Sequence, residues 1–111
     1  EGEAAALSDM LAKPAAEAGI PHLVVTRGGA GADYTGIDGT LHSPAFAVTP
    51  VDTTGAGDCF FGFLLAAMAA GKPVKTALRE ASAAAAIQVT RPGAAAAIPD
   101  RATLDDFLAA H

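Results

Sequence analysis

The sequence holds one cysteine, no tryptophan, and aromatic residues at only 5% of its 111 positions. A single cysteine excludes an internal disulfide. Cys59 lies in an apolar run, where a buried free thiol is the simple reading. That usage fits a reducing compartment, so a cytoplasmic protein is expected. Few aromatics also mean little buried area per side chain, because much of the 51% hydrophobic share is alanine. Seven Lys and Arg stand against twelve Asp and Glu, giving a net charge of −5 with no basic run. Nucleic-acid binding needs a positive footprint, so that class of partner is excluded. The longest apolar run, Cys59 to Ala70, is shorter than the roughly 20 residues that span a bilayer, and no membrane partner is expected. The opening "EGEAAALSDM" has no initiator Met, no signal-peptide pattern and no cap before its first apolar residues. A fragment is expected, forming a single partial domain over residues 1–111.

What is present reads as helix, then strands, then helices: part of an α/β layer. A helix is predicted from Glu3 to Ala18, interrupted at Pro14. "HLVVTR" (22–27) is β-branched and apolar between Pro21 and Gly28, hence a buried strand. "DYTG" and "TLHS" flank an Asp38-Gly39 pair, a strong hairpin signal. "FAVT" (46–49) is a further short strand candidate. Residues 57–70 are apolar on every face and predict a fully buried central helix, with Phe60, Phe61, Phe63 and Met68 in the core. Gly71 ends it and Pro73 opens the next helix, about 74–88. That helix has Val74, Ala77, Leu78, Ala81 and Ala85 on one face, and Lys75, Arg79 and Glu80 on the wet side. Residues 90–99 read as loop, and Thr103 caps a last amphipathic helix through Leu104, Phe107 and Leu108. His22, His42 and His111 are scattered and receive no role.

The stretch with chemical content is Asp52-Thr-Thr-Gly-Ala-Gly-Asp58, placed directly before the apolar helix. The first N–H groups of a helix lack internal partners, and the macrodipole puts positive charge there, so an open helix start binds anions. Asp58 would stand beside such an anion and could take a proton from an attacking hydroxyl, as phosphoryl transfer requires. A plainer alternative makes Asp and Thr simple N-caps. Capping leaves the glycines unexplained, however. Each Gly in a first helical turn costs about 0.5–1 kcal/mol against Ala, which this chain uses freely. Other phosphate motifs fail: "AAGKPV" lacks the upstream Gly and the hydroxyl residue of a P-loop, and neither "GAGDCF" nor "GGAGAD" completes G-x-G-x-x-G.

"VDTTGAGDCFFGFLLAAMAAG" resembles the carboxy-terminal signature of the ribokinase-like (PfkB) sugar kinases, D-T-T-x-A-G-D followed by a helix rich in small residues. "HLVVTRGGAGADY" resembles that family's strand and T-x-G-x-x-G loop, and "ASAAAAIQVTRPGAAAAIP" its following segment, in matching order and spacing. The resemblance implies the carboxy-terminal part of a three-layer α/β/α fold, with an incomplete sheet and helices packed on it. It implies ATP-dependent phosphorylation of a sugar hydroxyl in the parent protein, with ribose the default substrate, Mg²⁺ accompanying ATP, and an activating monovalent cation, usually K⁺. Asp58 matches the catalytic base, and Gly55, Ala56 and Gly57 match the anion hole. Thr26, Gly28, Gly31 and Gly57 match nucleotide contacts, and Ser82 stands where an Asn near adenine is common. Asp52 and Thr54 match ligands of the monovalent cation, completed by carbonyls of Gln88, Arg91 and Gly93, while Ala97 replaces a frequent Ser. Glu3 matches an acid that influences Mg²⁺ through water.

The family's sugar pocket and lid lie toward the amino terminus, so the 111-residue piece alone is expected to be inactive. The expected partners are ATP and a small sugar, with room for a homodimer of the full-length parent. Two alternatives stay open: a nucleoside or other small-alcohol kinase of the same fold, and a non-catalytic adenine-nucleotide-binding remnant.

Overall fold

The structure is a computed structural model of the chain, and it describes residues 22–36, 39–93 and 97–111. The helix expected over 3–18, Glu3, and the centre of the hairpin turn lie outside the described residues. Three strands form an antiparallel meander in the order β1 (His22–Thr26), β2 (Ala32–Gly36), β3 (Gly39–Ser43). β2 and β3 pair through Gly36 opposite Gly39, so the Asp-Gly signal marks a hairpin as expected. β1 joins β2 through a short 3-10 turn, Gly28–Ala30, which Gly31 closes with its N–H on the Gly28 carbonyl. Gly31 is needed there. Its φ is +95°, and a Cβ would collide with the Ser43 carbonyl oxygen and sit 3.0 Å from Pro44 Cα.

Helices α1 (Ala56–Ala69), α2 (Val74–Val89) and α3 (Arg101–Ala110) complete the described architecture. Gly71, at φ +80°, and Pro73 turn the chain between α1 and α2. The main core lies between sheet and helices, where Tyr34 of β2 packs with Phe60, Leu64, Val74, Leu78 and Ala81. A second cluster joins α2 to α3, with Leu104 set among Cys59, Ala83, Ala84 and Ile87. Burial raises the Cys59 thiol pKa above its ordinary value, so the thiol stays protonated. The alanines explain how these helices approach so closely: α2 buries Ala77, Ala81, Ala83, Ala84 and Ala86.

Several expectations need correction. β1 is half-buried rather than buried, because as an edge strand it has one neighbour among the described residues. Residues 46–49 form no strand: with no ladder partner among the described residues, β propensity alone does not make one. α1 is not fully buried, since only Cys59, Phe60, Leu64 and Ala67 are covered, while Leu65 is 65% and Phe61 38% exposed. Glu80 is buried, not wet, because Lys72 Nζ and Arg101 Nη1 each approach a carboxylate oxygen at 2.7 Å. Asp100, not Thr103, caps α3: its Oδ1 accepts the Thr103 N–H at 2.8 Å, which holds the Asp100 carboxyl below the usual range.

Candidate active site

α1 starts without a side-chain cap. Its N-cap residue is Gly55, in the left-handed region at φ 78°, and among the described residues no side chain caps the first helical N–H groups. Asp52, a natural capping residue three positions earlier, is turned elsewhere. Its Oδ1 accepts the Thr54 N–H at 2.9 Å and its Oδ2 the Gly93 N–H at 3.2 Å. The Thr54 backbone N–H and hydroxyl, then the Gly93 N–H, hold the Asp52 carboxyl below the usual range, so it is ionised at neutral pH. Gln88, only 1% exposed, donates its Nε2 to the Thr54 carbonyl at 3.1 Å, while its own carbonyl accepts the Arg91 N–H at 3.0 Å. The Val51 and Asp52 N–H groups both reach the Val89 carbonyl. The turn before α1 is thus held by the far end of α2 and the loop after it, which leaves the helix start open.

That start opens into a cavity of about 390 Å³. Thr26, Gly28, Gly31, Gly57 and Ser82, five residues from three separate segments, all line it. Ala56 and Thr53 contribute on the α1 side, and Ala85, Ala86 and Val89 continue the Ser82 face of α2. Ser82 is 7% exposed, and its Oγ lies 3.3 Å from Ser43 Oγ, so its hydroxyl partner comes from another element. Gly57 has no steric reason to be glycine: a Cβ there would meet nothing within 4 Å. Gly31 does have one, in its contact with the end of β3. Gly57 therefore reads differently from the loop glycine, whereas Gly55, at φ 78°, is favoured as glycine by its left-handed backbone.

Asp58 is exposed in the first turn of α1. It does not line that cavity. With Gly55, Cys59, Gly62, Phe63, Ala66, Gln88 and Ile98 it lines a separate hollow of about 430 Å³. The helix start therefore has two faces, one opening to the cavity that Ser82 lines and one carrying a carboxylate.

Of the cation set, Asp52 and Gly93 are hydrogen-bonded together, and Thr54 and Gln88 adjoin them. Arg91 enters through its backbone N–H, and its charge faces Asp100. Ala97 is fully buried. Sequence reasoning missed Ala45, Phe46, Val48 and Pro50 as lining residues, because 46–49 reads as a strand candidate. It also missed Ala85, Ala86 and Val89, although Ser82, Ala85, Ala86 and Val89 stand at 0, 3, 4 and 7 along α2, one helical face.

Residues 2–101 match the sequence profile of the pfkB family carbohydrate kinases. The chain belongs to that family. Among its relatives, the ribokinase of Bacillus subtilis is 40% identical over 86 residues, which is 78% of this chain and 29% of the relative. Fructokinase-2 of Zea mays is 40% identical over 98 residues, 82% of this chain and 29% of that protein. The pfkB fold is also matched in three dimensions. The crystal structure of ribokinase from Thermotoga maritima superposes with a TM-score of 0.83 at 39% identity, covering 88% of this chain and 33% of that one. Arabidopsis thaliana ribokinase, solved with ribose and ATP, gives a TM-score of 0.75 at 33% identity, covering 79% of this chain and 29% of that one. The chain spans about a third of the length of the pfkB relatives it matches. Among the described residues, no helix is long and apolar enough to cross a membrane.

Proposed function

We propose that this chain carries the nucleotide-binding and proton-accepting part of an ATP-dependent kinase acting on a sugar or nucleoside hydroxyl. One observation supports this most: an uncapped helix start, with Gly55 in the left-handed region, opens into a cavity that also gathers Thr26, Gly28, Gly31 and Ser82. In this reading ATP lies in that cavity as substrate. Its transferring phosphoryl group meets the N–H groups at Gly55 and Gly57, beside Ala56, whose N–H reaches the Thr53 carbonyl at 3.2 Å, and the helix macrodipole stabilises added negative charge there. Thr26, Gly28 and Gly31 contact the nucleotide from the loop after β1.

The acceptor hydroxyl comes from the other face of the helix start, where Asp58 takes its proton. Donor and acceptor then meet across the Gly55–Gly57 turn, an arrangement suited to in-line transfer. Mg²⁺ accompanies ATP, as in a ribokinase from E. coli solved with ATP and magnesium. A monovalent cation fits the loop beside the turn. The donors there are hard oxygens, among them the ionised Asp52 carboxylate. Asp52, Thr54 and the carbonyls of Gln88, Arg91 and Gly93 would hold it, and it would add positive charge near the anion-binding turn.

The recurrence of ribokinases among the relatives and superposed structures favours ribose as acceptor. A nucleoside is the second reading, favoured by the likeness to a Burkholderia thailandensis nucleoside kinase solved with inosine, at 38% identity. The test is a chimera of Bacillus subtilis ribokinase in which this chain replaces the matching segment. ATP-dependent phosphorylation of ribose by the chimera, lost by about 10²–10⁴-fold in Asp58→Asn with ATP binding kept, is the expected result. Equal turnover in Asp58→Asn would reject the proton-accepting role.

A further inference from the structure

A further cavity, of about 450 Å³, is lined by the end of β3, the first two turns of α2 and Leu108 of α3. It shares only Ala45 and Phe46 with the cavity assigned above to ATP, so it is a separate hollow. Leu41, Leu78 and Leu108 give it apolar walls, while Lys75, Thr76 and Arg79 supply polar side chains from one helix. Lys75 and Arg79 stand four residues apart on α2, about 6 Å along its axis, and both are exposed. Two like charges at that spacing repel and cost helix stability. Neither is paired with a carboxylate among the described residues. Arg79 instead lies over the Phe46 ring, its guanidinium carbon 5.1 Å from the centroid, which holds it at the cavity wall.

The one acid that lines this cavity is Glu80, and Lys72 Nζ and Arg101 Nη1 already occupy its two carboxylate oxygens. Neither Lys72 nor Arg101 lines the cavity, so the charge of Glu80 is answered from outside it. His42 also lines it, and the acid beside His42, Asp33, is paired with Arg27 at 3.2 Å. The hollow therefore keeps the two positive charges of Lys75 and Arg79, in a chain whose net charge is −5. The first turn of α2, which has no side-chain cap, adds the positive end of its dipole.

We propose that this cavity binds a small phosphate monoester with an apolar body. The dianion answers two cations, with the Arg79 fork donating to two phosphate oxygens, Lys75 adding a point charge and the Thr76 hydroxyl a further donor. The apolar body covers Leu41, Leu78 and Leu108. A carboxylate brings half the charge, and inorganic phosphate leaves the leucines wet. The site does not depend on the nucleotide reading of the other cavity.

The experiment titrates the isotope-labelled 111-residue chain with phenyl phosphate, benzoate, inorganic phosphate and benzyl alcohol, following amide NMR shifts, with circular dichroism as the folding control. Phenyl phosphate should shift the amides of residues 41–46 and 75–79 saturably. Its affinity should exceed that of inorganic phosphate about tenfold, through burial of the ring, and that of benzoate about threefold, through the second charge. Lys75→Gln and Arg79→Gln should each weaken phenyl phosphate by about threefold or more. Arg79→Gln also removes the stack on Phe46, so Lys75→Gln, at an exposed position, is the cleaner variant. Shifts confined to residues 55–57 would put the anion at the start of α1 and overturn the proposal. So would the lack of any saturable shift, or unchanged affinity in both variants. Benzyl alcohol binding as tightly as phenyl phosphate would show an apolar hollow with no use for charge, and benzoate doing so would refute the dianion.

Discussion

Replacing Gly57 by Ala should stabilise the chain and weaken the proposed nucleotide site. Gly57 is the second residue of α1 and does not have a positive φ, so alanine fits its backbone without strain. A Cβ built there meets no other atom within 4 Å, so alanine displaces nothing. Exchanging glycine for alanine in a helix gains about 0.5–1 kcal/mol, largely by reducing the freedom of the unfolded chain. For a chain of this size that corresponds to a rise of roughly 2–8 °C in melting temperature. The new methyl, however, tilts toward the helix N-terminus, as every helical Cβ does, and so toward the position where an anion meets the N–H groups. A phosphoryl oxygen in contact with the backbone would be held off by more than a hydrogen bond tolerates. ATP affinity should fall at least about tenfold, the loss of one or more charge-assisted bonds. Thermal unfolding followed by circular dichroism and calorimetric titration with ATP measure the two effects on one sample. A lower melting temperature would show that Gly57 has a structural task absent from this geometry. Unchanged ATP affinity would show that no anion approaches the start of α1.

Gly31→Ala should do the reverse of a gain: with φ +95° and the Ser43 carbonyl in the path of the Cβ, it should lower stability by about 2 kcal/mol or more in a denaturant titration. Glu80 sets an acid limit. Arg101 foremost, and Lys72 after it, hold its carboxyl below the usual range, against the opposing effect of burial. Its contribution is therefore complete above the ordinary carboxylate pKa and is lost as pH falls through the lower folded value. The melting temperature should drop below about pH 4, and Glu80→Gln should flatten that drop in a pH series. Leu64→Ala, at a position 3% exposed, should cost about 2–5 kcal/mol, whereas Leu65→Lys, one residue on and 65% exposed, should stay within about 0.5 kcal/mol by the same titration.

These contrasts show where the sequence speaks for the fold and where it falls silent. The hairpin was legible because Asp38-Gly39 and the flanking alternation are local signals, and local geometry alone makes that turn. The α1–α2 break was legible for the same reason, through Gly71 and Pro73. Glu80 misled because its neutralising partners stand eight residues before and twenty-one after it, a distance no helical pattern encodes. Phe61 and Leu65 misled because an all-apolar helix announces burial without naming what provides it. The site divides in the same way. Its glycine-rich start was plain as a motif, and Asp58 with it. The cavity was not, since its walls come from β1, the 45–50 segment, α1 and α2, and only folding brings them together.

The two backbone N–H bonds that Asp52 accepts carry a kinetic meaning. One reaches two residues along the chain and the other reaches Gly93, forty-one residues away. The second closes a long loop, whose entropic cost must be met before the contact rewards it. The turn before α1 can therefore take its shape only after α1 and α2 have docked as a hairpin. During refolding, helix content should appear first and nucleotide affinity last, so a fluorescent ATP analogue added to refolding chain would time the closing of this loop.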